Sequence, residues 1–199
     1  MKVPVAVYGG SFDPVHNGHL ELVRYLVKTK VTTDVILLPS FAPPHKAGKQ
    51  GQASFRHRVH MLRLGLRTLE AEVKSQTRIS LLEKSLPVPG YTYHTLKHMK
   101  TLCNKDFAFV IGADMYNYLP KWKYYEKLIE EYRFIVLQRK EEPLKKSITF
   151  KKPPVVLDNP AWNVSSTMLK QAMAKHQYSL VEELLPAPVF NYIMNRGIY

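Results

Sequence analysis

Apolar residues along this chain follow two alternating periods. Short apolar runs of strand length lie at Val3 to Tyr8, Asp34 to Pro39, Thr77 to Leu82, Phe107 to Gly112, Arg133 to Gln138 and Val155 to Leu157, bounded by Gly, Pro or charged residues. Between them the apolar positions recur at helical spacing. Leu20, Val23, Leu26 and Val27 follow the first run, and Val59, Leu62, Leu66 and Leu69 share one face of a helix predicted over 55–73, with Arg56, Arg63, Arg67 and Glu70 largely off it. The first strand, helix and second strand form a βαβ unit, and such units cross over right-handed, so the sheet is parallel. The expectation is an α/β fold in one domain, residues 1–199, with a C-terminal helical portion over 165–199 and a last helix over 183–199. Residues 140–154, charged and proline-bearing, read as a surface connection.

The carboxyl edge of such a sheet is where ligands bind, and the chemistry-bearing residues of this sequence gather at predicted strand ends. Gly9-Gly10 breaks the first strand, and two residues without Cβ let a ligand approach the backbone before Ser11 and Phe12. The helix beyond begins with unpaired N–H groups and a partial positive charge, which suits a phosphate. His16 and His19 are three apart, so in a first helical turn they share a face. Neither G-x-x-x-x-G-K-[ST] nor G-x-G-x-x-G occurs, which excludes a P-loop and a dinucleotide fingerprint.

Later strand ends add further groups. After the second strand, Pro43-Pro44 stiffens the backbone before His45-Lys46. Gly112 and Asp114 follow the fourth, where the carboxylate serves either as a helix cap or as an acceptor for ribose hydroxyls. Trp122 lies in a proline-stiffened loop between Lys121 and Lys123, a poor place to bury a tryptophan and a good one to offer its face to a flat heterocycle. Ser165, Ser166 and Thr167 open a helix that carries Lys170; capping accounts for one hydroxyl, and the helix start is a second phosphate site.

Composition narrows the partners. The balance is 29 Lys+Arg against 16 Asp+Glu, a net charge of +13, which creates a positive field for polyanions. The cations are spread along the chain, and no nucleic-acid module signature accompanies them, so the field reads as a funnel for small anionic substrates rather than nucleic acid. The single cysteine, Cys103, excludes an internal disulfide and a multi-cysteine metal site. The apolar run after Met1-Lys2 is too short for a signal-peptide core, and no stretch has membrane-span length, which predicts a cytoplasmic protein without a membrane partner. A homo-oligomer is left open.

At Gly9-Gly-Ser-Phe-Asp-Pro-Val-His-Asn-Gly-His19 the chain resembles the nucleotidyltransferase superfamily marked by [HT]-x-G-H, and within it the bacterial nicotinate mononucleotide adenylyltransferases. Pro43-Pro-His-Lys46, Tyr91-Thr92 with Thr95 and Leu96, Gly112-Ala-Asp114 with Leu119-Pro-Lys-Trp122, and Ser165-Ser-Thr167 continue the resemblance in order, with a matching tail from Glu183 to Tyr199. The resemblance implies a Rossmann-like, doubly wound sheet with helices on both faces. It also implies adenylyl transfer from ATP to nicotinate mononucleotide, with Mg2+ held mainly by the ATP phosphates and no metal bound by side chains alone.

By the same resemblance His16, His19, Lys46 and Lys170 are catalytic. Gly9, Gly10, Ser11, Phe12, Gly112, Asp114, Ser166 and Thr167 join the histidines on ATP, and Lys46, Tyr91, Thr92 and Trp122 hold the mononucleotide. The chain departs from the family at Gly90 and His94, and at Lys170, where arginine is usual; lysine keeps the charge but loses the planar two-donor fork. Two other readings stand beside this one: a sister adenylyltransferase acting on nicotinamide mononucleotide or another phosphate, and a non-catalytic nucleotide- or nucleic-acid-binding protein.

Overall fold

A computed structural model describes residues 3–42, 51–102, 105–138, 143–144, 148–158 and 163–199. The strands among them are β1 (Val3–Gly10), β2 (Thr32–Pro39), β3 (Thr77–Ile79), β4 (Phe107–Gly112), β5 (Arg133–Gln138) and β6 (Val155–Asp158). They form one sheet in the order β3-β2-β1-β4-β5-β6, every pair parallel. The order reverses between β1 and β4, which makes the carboxyl ends of those two strands the switch point where open α/β sheets bind ligands. Their register pairs Tyr8 with Val110, so Gly9-Gly10 and Gly112 end side by side.

Alternation along the strands divides the core in two. Ala6, Val35, Leu37, Ala108, Val110, Ile135 and Leu137 face helices α1 (Asn17–Lys28), α2 (Phe55–Arg67), α7 (Ser166–Ala174), α8 (Tyr178–Leu184) and α9 (Ala187–Arg196). Val5, Val7, Phe109, Ile111, Phe134 and Val136 face α4 (Thr92–Leu102), α5 (Ala113–Tyr118) and α6 (Tyr125–Glu131). Helices therefore cover both faces, the doubly wound arrangement that the family resemblance implies.

Four boundaries differ from the sequence reading. The first strand runs through Gly9-Gly10 instead of ending before them, since Gly10 still pairs with Pro39 and its carbonyl accepts the Ser40 N–H at 2.8 Å. The third strand stops at Ile79, and residues 82–85 form a 3-10 turn. The helix expected over 55–73 ends at Arg67 and resumes as α3 (Ala71–Ser75), because Glu70 leaves helical geometry and pairs with Arg24 and Lys28 of α1 at 2.8 and 3.0 Å. The last helix is two helices, broken where Leu185 takes the extended conformation that a following proline imposes. No helix among the described residues is long and apolar enough to cross a membrane.

Candidate active site

The end of β1 is shaped by aromatic rings. A Cβ on Gly9 would lie 2.8 Å from the Phe109 ring, so this glycine admits the ring of a neighbouring strand; ligand approach is a second use of the same opening. Phe12 then adopts a left-handed backbone, φ 49°, which costs a bulky residue about 1–3 kcal/mol. Its buried ring offsets part of that cost by packing edge-on against Tyr8 and His19, with centroids 5.4 and 5.0 Å away.

The two histidines meet as their spacing predicts, stacked with centroids 3.6 Å apart at the start of α1. The His16 backbone N–H donates to His19 Nδ1 at 3.2 Å, which leaves the His19 proton on Nε2. Burial, and secondarily His16, hold the His19 imidazole well below its ordinary value of 6.5. His19 is therefore a neutral hydrogen-bond donor at neutral pH in the free protein.

The far end of the chain closes on the same loop. Ser165 caps α7, its hydroxyl accepting the Met168 N–H at 3.1 Å, while the Ser166 hydroxyl donates to the Pro14 carbonyl at 3.0 Å. The Ser166 proton is thus committed to the loop, and what the start of α7 offers an anion is its unpaired backbone N–H groups beside exposed Thr167. Lys170 is also engaged: its ammonium lies 2.8 Å from Oδ2 of Asp13, whose side chain is 2% exposed. The sequence reading places Lys170 on phosphate and gives Asp13 no part, yet Asp13 is the loop's buried carboxylate. Arg58, 2% exposed, completes the backing by donating to the carbonyls of Ser11 and Ala53 at 2.7 and 3.1 Å.

Across the switch point, Gly112 caps α5 and exposed Asp114 stands in its first turn. Trp122 is half-buried and meets the Phe109 ring edge-on at 6.3 Å, so the ring that fills the space under Gly9 also links the tryptophan to it. Tyr91 and Thr92 open α4, with the Tyr91 carbonyl accepting from His94 and Thr95, and Tyr91 lies edge-on to Tyr124 at 6.0 Å. Their loop is tied to the exit of β2, where Gly90 N–H donates to the Ala42 carbonyl at 3.1 Å. Glu83 underpins this side by accepting the Phe41 N–H at 3.0 Å, and burial raises its carboxyl above the ordinary range. Lys46 lies outside the described residues.

Arg58 and Glu83 have no motif signature in the sequence, and Asp13, although inside the Gly9–His19 motif, has no role assigned by it; the partners of all three come from other elements. An open groove of about 840 Å³ along α2 and α9, lined by Phe55, Arg56, His60, Arg63, Tyr192 and Arg196 among others, contains none of the candidate site residues. Convergence of strand ends, rather than concavity, therefore locates the site.

A model of cytidylyltransferase-like proteins matches residues 7–172. The chain belongs to the cytidylyltransferase-like family. It is a nucleotidyltransferase and has relatives similar over nearly its whole length. The nicotinate-nucleotide adenylyltransferase of Bacillus subtilis is 31% identical, with 98% of this chain and 97% of that protein covered. A protein of Bacillus pumilus named a probable nicotinate-nucleotide adenylyltransferase is 37% identical at the same coverage. Among solved structures, the Plasmodium falciparum nicotinic acid mononucleotide adenylyltransferase complexed with NaAD superposes with a TM-score of 0.86, covering 99% of this chain and 97% of that one; at 23% identity the likeness is one of fold.

Proposed function

We propose that this enzyme transfers the adenylyl group of ATP to the phosphate of nicotinate mononucleotide, giving nicotinate adenine dinucleotide and pyrophosphate, a step of NAD biosynthesis. The observation that carries the reading is the placement of His16-Asn17-Gly18-His19 at the switch point of a chain whose full-length relatives bear that name. The acceptor phosphate is already anionic, so no side-chain nucleophile or strong base is required. A phosphate oxygen forms a bond to the α-phosphorus of ATP, the bond from that phosphorus to the bridging oxygen breaks, and pyrophosphate leaves with the electron pair.

What the protein supplies is alignment and charge. Residues Gly9, Gly10, Ser11 and Phe12 with the start of α1 form the ATP side. Neutral His19 donates through Nε2, and His16 lies against it. The first N–H groups of α7, at Ser166 and Thr167, face the same phosphates, and Gly112 and Asp114 hold the adenosine end. Lys170 and Lys46 provide positive charge, while Tyr91, Thr92 and Trp122 hold the second nucleotide.

Mg2+ carried on the ATP phosphates would add charge on the departing pyrophosphate. Each Asp13 oxygen already accepts a donor from the protein, and the imidazole and backbone N–H donors of the site suit the phosphates that would carry the ion.

The test is pyrophosphate release from ATP with nicotinate and nicotinamide mononucleotides compared side by side. The expected result is a kcat/KM at least about tenfold higher for the acid, a difference of about 1.4 kcal/mol in transition-state binding. A preference for the amide would move the acceptor, and no release with either would overturn adenylyl transfer to a pyridine mononucleotide.

A further inference from the structure

Asp13 is 1% exposed, and three donors from distant parts of the chain meet on it. Oδ1 accepts the Ala53 N–H at 3.0 Å and the Tyr199 hydroxyl at 2.5 Å, and Oδ2 accepts the Lys170 ammonium at 2.8 Å. Ala53 ends the segment that follows β2, Lys170 belongs to α7, and Tyr199 follows α9.

A defined turn delivers Tyr199. Gly197 takes a left-handed backbone, φ 57°, and its N–H reaches the Met194 carbonyl while the Ile198 N–H reaches the Ile193 carbonyl. These are the paired bonds of a glycine-terminated helix end, and they reverse the chain so that Tyr199 returns to the β1 loop. Its hydroxyl then meets Asp13, and its ring centroid lies 5.8 Å from the Lys170 ammonium. Tyr199 as a residue is 38% exposed, but desolvation of its hydroxyl beside buried Asp13, together with the Asp13 bond, raises that hydroxyl far above the ordinary phenol value, so it remains a donor.

We propose that Tyr199 is a positioning residue for the ATP side of the site. Its hydroxyl fixes the rotation of the Asp13 carboxylate so that Oδ2 faces α7, and its ring supports the ammonium held there. Lys170 is thereby kept at one point beside the phosphate loop. The inference rests on the reading above that the Lys170 charge serves ATP. A tyrosine that only fastened α9 to the loop would affect both substrates and act independently of the charge on Lys170.

The test compares Tyr199→Phe, Lys170→Gln and the double variant in the full chain. Affinity for a non-hydrolysable ATP analogue is read by titration calorimetry, KM for each substrate by pyrophosphate release, and folding by thermal melting. Tyr199→Phe should weaken ATP affinity about tenfold, the order expected from one hydrogen bond to a charged group, with KM for the mononucleotide unchanged. In the Lys170→Gln background the same change should alter ATP affinity by less than about twofold, because its route to the phosphates is gone. Unchanged ATP affinity, equal penalties in both backgrounds, or parallel increases in both KM values with a lowered melting temperature would each overturn the positioning role. If the wild-type protein releases no pyrophosphate, adenylyl transfer fails as a reading while the analogue titration still decides positioning; a wild-type protein that binds no ATP analogue sinks both.

Discussion

Gly18→Ala separates the position of His16 from the stability of the fold. Gly18 is in the first turn of α1, and a Cβ there would lie 2.8 Å from Val164 Cγ1 and 3.2 and 3.3 Å from Nδ1 and Cε1 of the His16 ring. Carbon atoms prefer about 3.5–4.0 Å, so Val164 must retreat by about 0.7 Å and the imidazole by a few tenths. Val164 is half-buried just before α7 and has room to yield, whereas His16 is buried and stacked on His19. Overpacking of this kind costs about 1–3 kcal/mol. Replacing glycine in a helix returns up to about 1 kcal/mol, less at a first turn.

The net loss of about 0–3 kcal/mol corresponds to at most about 12 °C in melting temperature for a domain of this size. Activity is more sensitive on the role proposed above for His16, since displacing an aligning group by about 1 Å costs up to about 100-fold. The assay is kcat/KM for pyrophosphate release beside a thermal melt of the same preparation. A folded Gly18→Ala protein with wild-type kcat/KM would refute the argument that the glycine is there for the His16 ring.

Two further outcomes follow from the same geometry. An unfolded chain protonates His19 near pH 6.5, while the folded state resists protonation, so below that pH the unfolded state binds the extra proton and stability falls as pH drops. One such group contributes a slope of at most about 1.4 kcal/mol per pH unit; melts of wild type and His19→Gln between pH 7.5 and 5.5 should differ by a shallower acid limb in the variant, and identical limbs refute the depressed imidazole. Trp122→Ala removes a half-buried ring from the Phe109 contact and should raise KM for the mononucleotide at least about tenfold, with a stability loss of about 2 kcal/mol; equal effects on both KM values would return Trp122 to a purely packing role.

The strands, their parallel pairing and the histidine pair were legible because local pattern determines them. Short apolar runs mark buried strands, a strand-helix-strand unit makes their pairing parallel, and a three-residue spacing brings His16 onto His19 within one turn. The break at 68–70 was not legible, since Glu70, which leaves helical geometry there, finds its partner in Arg24, 46 residues away. The break before Pro186 was written in the sequence, in the extended preference of Leu185, but helical apolar spacing on both sides concealed it. Asp13 reads as one member of a local motif, although its partners stand 40, 157 and 186 residues away. Tyr199 belongs to no chemical motif at all, and only the turn at Gly197 brings it to the loop.

These long-range partners change where the positive charge of the site originates. The sequence directs attention to His16 and His19, but a neutral His19 offers a phosphate a hydrogen bond and no full charge. Behind the loop, buried Asp13 faces two cations, Lys170 and Arg58. Burial lowers the Arg58 value while Asp13 and Glu83 raise it, and the guanidinium stays protonated, so Arg58 and Lys170 are both cations behind the loop. Of the two, Lys170 keeps 29% of its side chain exposed and is the cation within reach of an anion arriving at the loop, whereas Arg58 is buried. In the role proposed above Lys170 works without a guanidinium's two-donor fork. Asp13 and Tyr199 fix its ammonium in place, supplying by packing the geometry that a guanidinium supplies by shape.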